Sequence, residues 1–484
     1  MSRQAEPTVV TGRAAELWLL VFAWLLSTAA WPLMHFNRGS TMPEFWWLVP
    51  GGWGLLLLVA HFITRWRAKF ADPVILPVVG LLGGIGLAMQ HRLDLANNTS
   101  VANSQLIAMA VGVAAFTAIL IWLRDYRVLQ RYTYLLFCAG LGLLLMPLLP
   151  VIGSSVNGSR IWISLAGYSF QPAELAKIVL TLAFASYLAD RSDVLQSAGK
   201  KLWRFTLPRL RDIVPVFIMF AAGMVILVYQ NDFGTAMLFY GLFVMMLYVA
   251  TASAGWVIGG LVAFGGAAWF IFQHASHVQV RVDSWLHPFS NMAQNGQIIE
   301  GQFGIAWGGL FGRGWGLGSP TRIPLVASDF ISAAFGEELG LVGLFAILIL
   351  YAVIVARGIK AALMVRDSFG KLLTCGLSFV IALQVMAIVG GVTRLLPLTG
   401  LTTPFLARGG SSLMTNWVMV AVLMVVSYQA RRPVESFEPY VDLEMEKTTT
   451  IDITGLLEGG VGPRVEAPSP VVDDGATHVI GGTP

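Results

Sequence analysis

Charge is what this sequence has least of. Only 12% of its 484 residues are Asp, Glu, Lys or Arg, whereas 56% are hydrophobic. A soluble globular domain carries about 25% charged residues, so the deficit excludes a soluble enzyme and a disordered chain alike. Cysteine is nearly missing as well. The two present, Cys138 and Cys375, lie inside apolar runs, where an unpaired thiol behaves as a small hydrophobe. A disulfide scaffold or a cysteine-built zinc site is thereby excluded.

What is present fits a bilayer. The 51 glycines and 16 tryptophans match the composition of membrane helices and of their interfacial belts. A span needs about 20 mostly apolar residues. Such runs fall near 14–36, 46–64, 73–91, 105–123, 132–152, 173–190, 213–229, 234–250, 256–273, 338–356, 371–393 and 412–430. The fold expected is an all-α polytopic membrane protein of about twelve transmembrane helices. Asn37-Arg38-Gly39 follows the first run in place of a small-residue cleavage site, so that run reads as a retained helix.

Lys and Arg set the orientation. With the N-terminus inside, 22 of the 31 basic residues fall on the cytoplasmic side, the bias expected of cytoplasmic loops. Both termini are then cytoplasmic, and the basic excess calls for no nucleic acid. Residues 1–432 read as one membrane-embedded domain. Residues 433–484, with ten acidic and two basic residues, read as a disordered acidic cytoplasmic tail unable to bury enough surface to fold.

Three outside segments are rich in Gly and polar residues: 153–172, 394–411, and the long 274–337, too long for a simple connector. Asp329 lies in the last, just before the tenth span. A carboxylate among apolar neighbours has a raised pKa suited to a general base; alternatively it caps a helix. Glu337 and Glu338 begin the tenth span, where acidic residues complement the helix dipole. Glu174 and Lys177 are three apart on one helix face and able to pair, either structurally or beside a functional cavity. Arg160 and Trp162 suit an interfacial belt or a phosphate and a sugar. Asp232 suits a helix cap. His274, His277 and His287 lack a metal-ligand spacing with nearby carboxylates.

One carboxylate with several cations on the outer face suits transfer from a lipid-linked diphosphate donor. The leaving group departs as an anion and needs cationic stabilisation, while the acceptor hydroxyl needs a base. Most glycoside hydrolases use two carboxylates instead.

Four segments together resemble the FtsW/RodA/SpoVE family of peptidoglycan polymerases: Asn157-Gly158-Ser159-Arg160-Ile161-Trp162 running on to Gln171-Pro172-Ala173-Glu174-Leu175-Ala176-Lys177; Gln230-Asn231-Asp232-Phe233-Gly234; Ser328-Asp329-Phe330-Ile331 with Gly336-Glu337-Glu338-Leu339-Gly340; and Leu396-Pro397-Leu398-Thr399-Gly400 with Gly409-Gly410-Ser411-Ser412. The match looks closer to the elongation type, RodA, than to the division type. The resemblance implies a ten-span core, which leaves residues 1–72 as an extra N-terminal hairpin. It implies polymerisation of lipid II at the outer face with release of undecaprenyl diphosphate. Asp329 would be the base that deprotonates the acceptor 4-hydroxyl. Arg160, Lys177 with its partner Glu174, Arg313 and Arg322 would serve the diphosphate, and Trp162 would shape the groove. A divalent cation, magnesium or manganese, is compatible with such a site, and no organic cofactor is implied. The partner implied is a class B penicillin-binding protein, a transpeptidase, in the cell membrane of a bacterium. Ala407-Arg408 departs from the family's usual Ser-Tyr, and Arg408 adds a cation on the outer face. Two rival functions stand beside this one: a lipid II flippase, which needs charges deep between the helices, and a non-catalytic scaffold for the transpeptidase.

Overall fold

The computed structural model describes residues 12–156, 158–165, 168–192, 200–202, 205–207 and 210–433. Asn157 of the Asn-Gly motif and nearly all of the acidic tail lie outside the described residues. Fourteen α-helices order the rest: α1 Arg13–Arg38, α2 Leu48–Arg67, α3 Ile75–Asn97, α4 Val101–Trp122, α5 Thr133–Leu145, α6 Pro172–Asp190, α7 Leu210–Tyr229, α8 Phe233–Thr251, α9 Gly255–His274, α10 Ser276–Leu286, α11 Met292–Gly308, α12 Ile331–Met364, α13 Ser368–Val392 and α14 Gly410–Arg431.

Eleven helical segments are long and apolar enough to cross a membrane, and a shorter apolar stretch, Val214–Tyr229, lies in α7. They coincide with the twelve runs read from hydropathy, because a bilayer leaves a continuous apolar helix as the economical way to satisfy backbone groups. The chain is a multi-pass membrane protein. The most extensive helix pairings join α4 to α14, α5 to α6, α12 to α13, and α1 to α3. Helices α3, α6 and α14 are enclosed on most sides, whereas α9 buries no residue and turns its apolar surface outward. Close approach explains several glycines. A Cβ at Gly234, at the start of α8, would collide with the Thr399 carbonyl, and one at Gly86 in α3 would lie 2.7 Å from the Phe405 carbonyl.

The connectors hold more structure than a count of spans suggests. Three strands, β1 Gly153–Val156, β2 Ser159–Leu165 and β3 Tyr168–Phe170, form an antiparallel sheet. A second, two-stranded hairpin pairs β4 Lys200–Leu202 with β5 Phe205–Leu207. The long 274–337 segment is largely helical, built from α10 and α11 followed by glycine-rich turns.

Helix α12 is broken near its start. Gly340 has φ 71° and ψ −173° inside an otherwise helical run, a conformation that suits glycine. The break frees the Glu337 and Glu338 carbonyls, which accept from the Arg313 and Gly314 amides at 3.0 and 2.8 Å. Beyond it, the Leu341 and Val342 amides donate to the Gly309 and Leu310 carbonyls, each at 3.0 Å. Loop backbone thus replaces two helical bonds with four cross-bonds, and a Cβ on Gly340 would overlap Gly312.

Candidate active site

Four connectors alternate onto one end of the bundle: the sheet, the 230–232 turn, the 274–337 segment and the 393–409 loop. Asp329 sits there, half-buried, one residue before the cap position of α12. That cap is Phe330, with no side-chain hydrogen bond, so the capping alternative for Asp329 is not what forms. Burial pushes its carboxyl above the ordinary carboxylate value, opposed by the Ser328 hydroxyl and the charge of Arg281. Arg281, on α10, donates to the Leu398 carbonyl at 3.3 Å. Its field reaches Asp232 as well.

Asp232 does cap: its Oδ1 accepts the Thr235 amide at 3.1 Å at the start of α8. Its other oxygen, Oδ2, is buried without a protein partner. Burial raises this carboxyl too, and nearby Glu174 adds to the effect. Glu174 and Lys177 form the pair their spacing allows, Nζ to Oε2 at 2.6 Å, with both side chains under 10% exposed. Lys177 also donates to Gln384 Oε1 at 2.9 Å, and Gln384 Nε2 donates to the Thr402 carbonyl at 2.8 Å. The Thr399, Thr402 and Thr403 hydroxyls are buried with no protein partner. The site therefore joins a half-buried carboxylate, a second carboxylate with a free oxygen, the neighbouring cations Lys177 and Arg281, and unengaged hydroxyls.

Other expected residues fall at stated places around this centre. Trp162 lies in β2 opposite Ser154. The Arg160 amide donates to the Gln230 carbonyl and its guanidinium to the Leu149 carbonyl, each at 3.3 Å, so the sheet leans on the turn that presents Asp232. Arg408 contributes by its backbone: its amide donates to the Ala327 carbonyl at 2.7 Å, two residues from Asp329, while its side chain is exposed. Gln90 Nε2 reaches the same carbonyl at 3.0 Å. Arg313 stacks on the Trp307 ring, 4.4 Å from its centroid, and Arg322 is exposed on the Pro320–Arg322 turn; neither is brought against the carboxylates.

Glu337 and Glu338 are anchors. Glu338 takes the Arg92 guanidinium at 2.7 Å and the Gly316 amide at 3.0 Å; Glu337 takes the Ser319 amide at 2.6 Å. Arg92, on α3, also donates to the Gly318 carbonyl at 2.8 Å. Sequence reasoning missed Arg281 and Arg92. The first has no local signal, and the second finds its partner 246 residues away. It did not miss for want of a signal at the sheet: Asn157-Gly158 between runs rich in β-branched and aromatic residues is a strong hairpin mark. Among the described residues no group of three or more His, Cys, Asp or Glu stands ready to hold a metal ion.

Fold and site together define a polytopic membrane protein with a polar, carboxylate-bearing centre at one end of its helices. A family model for the FtsW/RodA/SpoVE cell cycle proteins matches residues 72–432, and the chain belongs to that family. It is 45% identical to the peptidoglycan glycosyltransferase RodA of Mycobacterium tuberculosis over 443 residues, covering 89% of this chain and 93% of that one. The Mycobacterium leprae protein of the same name is 43% identical, covering 90% and 96%. Among solved structures, a chain of a peptidoglycan synthase complex that coordinates polymerization and crosslinking aligns with a TM-score of 0.61 at 25% identity, covering 75% of this chain and 99% of that one. The Thermus thermophilus rod shape determining protein RodA shares the fold, with a TM-score of 0.52 at 24% identity and coverage of 75% and 98%. The family match leaves α1 and α2 outside it.

Proposed function

We propose that the chain is a peptidoglycan glycosyltransferase that polymerises lipid II into glycan strands during cell-wall elongation. It works at the outer face of a bacterial cell membrane, with both termini in the cytoplasm. The observation that carries the chemistry is Asp329, half-buried, not engaged as a cap, and within the field of Arg281.

The acceptor 4-hydroxyl attacks the anomeric carbon of the donor and its proton passes to the Asp329 carboxylate. A glycosidic bond forms, and the bond from the anomeric carbon to the diphosphate oxygen breaks. The electron pair leaves with undecaprenyl diphosphate, whose growing charge the cations around the site stabilise. Direct displacement converts an α-linked donor into a β-linked product. A raised pKa brings the base nearer the working pH, where general-base catalysis is most effective. Lys177, held by Glu174 and Gln384, is the buried cation on the donor side, and Arg160 and Trp162 border the same face. A divalent cation would travel with the diphosphate, held by one or two carboxylates. A class B penicillin-binding protein is the partner that would crosslink the product.

The test uses purified lipid II in detergent, with and without a class B penicillin-binding protein. Wild type should make long glycan. Asp329→Asn should lose on the order of 10²–10⁴ in rate, the usual contribution of a general base, while remaining folded. Full activity in that variant would overturn the assignment of Asp329. No product from wild type, with partner and magnesium present, would move the reading to a flippase or a scaffold.

A further inference from the structure

The first helix lies outside the family match, yet it touches the segment on which the site is built. Trp31, Met34 and Ala30 of α1 form a small apolar cluster with Ala88 of α3, and Trp315 packs against it. Asn37 Nδ2 donates to the Trp315 carbonyl at 2.7 Å. The next residue, Gly316, has φ +86°, and a Cβ there would lie 3.0 Å from the Met34 carbonyl. Helix and loop backbone therefore meet with no room for a side chain.

The far side of this loop is tied to the start of α12. The Gly316 amide reaches Glu338, the Ser319 amide reaches Glu337, and the Trp315 ring stands edge-on to Phe335, 6.2 Å between centroids. Phe335, Phe330 and Ile331 are fully buried, and Asp329 immediately precedes them. Helix α1 also grips α3 one residue from Arg92. The Trp31 ring stacks on His91 at 3.9 Å, and the His35 and His91 Nε2 atoms are 3.3 Å apart. Both routes, through the loop and through Arg92, end on Glu338.

We infer that α1 is a positioning element for catalysis: Trp31, Met34 and Asn37 hold the 312–319 loop against the first turns of α12 and so fix the Asp329 segment. The hairpin then acts on the reaction and does not serve only as an extra membrane anchor. This rests on the glycosyltransferase reading above. The contacts of all three run to the loop and to α3, so each acts through the loop. A displacement of the order of an ångström at a reacting group costs up to about 100-fold in rate without a change of contacts to substrate.

The experiment compares full-length wild type, the Trp31→Ala/Asn37→Ala double variant and the conservative Trp31→Phe. Steady-state polymerisation of lipid II is measured together with amide hydrogen exchange across the chain. The double variant should lose about ten- to a hundred-fold in kcat, with KM for lipid II within about two-fold. Exchange should rise at the amides of 313–319 and stay unchanged in α13 and α14. Trp31→Phe should retain wild-type behaviour. An unchanged kcat in the double variant, or exchange that rises throughout the bundle, overturns the inference. Should wild type itself make no glycan, the glycosyltransferase reading fails, and the exchange pattern alone still decides whether α1 holds the loop.

Discussion

The two ends of the helix bundle treat their charges in opposite ways. At the end where α1 begins, the buried acidic groups among the described residues are matched. Glu16, fully buried, accepts from Arg13 and pairs with His61 at 2.8 Å; Asp72 takes Arg431 and, more distantly, Arg357. Two unengaged atoms there, Arg13 Nε and His61 Nε2, belong to groups already paired through another nitrogen. At the opposite end, Asp329 has no cap role, Asp232 keeps one free oxygen, and three threonine hydroxyls stand without partners. Buried polar groups ordinarily find hydrogen bonds. A concentration of unengaged acceptors and donors at one end therefore marks where a polar molecule is to be received. The matched end is scaffolding; the unmatched end retains capacity for substrate.

The sharpest way to break this contrast is the loss of Asp329. Asp329→Asn should cut polymerisation by a factor on the order of 10²–10⁴ yet leave thermal stability in detergent unchanged or raised. The sign follows from linkage. Folding raises this carboxyl's pKa, so the folded state binds the proton more tightly. Stability is then lost as pH rises from the unfolded value through the folded one, and an amide mimics the protonated form. Glu16→Gln should do the reverse. Breaking one partner of a buried pair costs about 3–5 kcal/mol, so thermal unfolding should fall markedly, while turnover per folded molecule is retained.

A pH series sharpens the comparison further. Activity should fall on acidification with a midpoint above the ordinary aspartate value of about 3.9, because the base must be ionised. Asp367, between α12 and α13 at the matched end, behaves oppositely. Burial pulls its carboxyl upward, but hydrogen bonds from Tyr126, the Gly370 amide and Arg127 hold it below the usual range. Its stabilising contribution is complete above the unfolded value and is lost only as pH falls through the lower folded one. The smallest effect belongs to Thr403→Val. Thr403 is 3% exposed and its hydroxyl has no partner, so a methyl in its place should raise stability by about 1 kcal/mol, measured as an increase in Tm.

Hydropathy made the spans legible because each run had to be long, apolar and nearly uncharged to cross. Local spacing was enough for Glu174 with Lys177 and for Asp232 as a cap, since partners three residues apart are fixed by helix geometry. The site as a whole was less legible. Arg92 with Glu338, Arg281 beside Asp329, and the Arg408 amide on Ala327 join elements distant in sequence, and no periodicity announces such pairings. Arg408 is instructive. Its charge suggested a contact with diphosphate; what ties it to the Asp329 segment is its backbone amide, a group every non-proline residue carries, while its side chain is exposed. The break at Gly340 was hidden for a related reason. Glycine inside a helical pattern is tolerated, and only the arrival of the 309–314 backbone gives its positive φ a purpose.

The bond from Arg408 to Ala327 also has a meaning in the order of synthesis. Chains fold from the N-terminus as they are made. Helix α3 with Arg92, the 308–319 loop and the start of α12 are all in place before α13 emerges, so the half of the site resting on Glu337 and Glu338 can assemble early. The Ala327 carbonyl has one donor from the early helices, Gln90 on α3, and a second, the Arg408 amide, that follows α13 and leads into α14. A nascent chain halted before that point holds its aspartate segment through only the first of these two donors. The second fastening of the catalytic segment thus arrives only with α14, after the other described helices have been made.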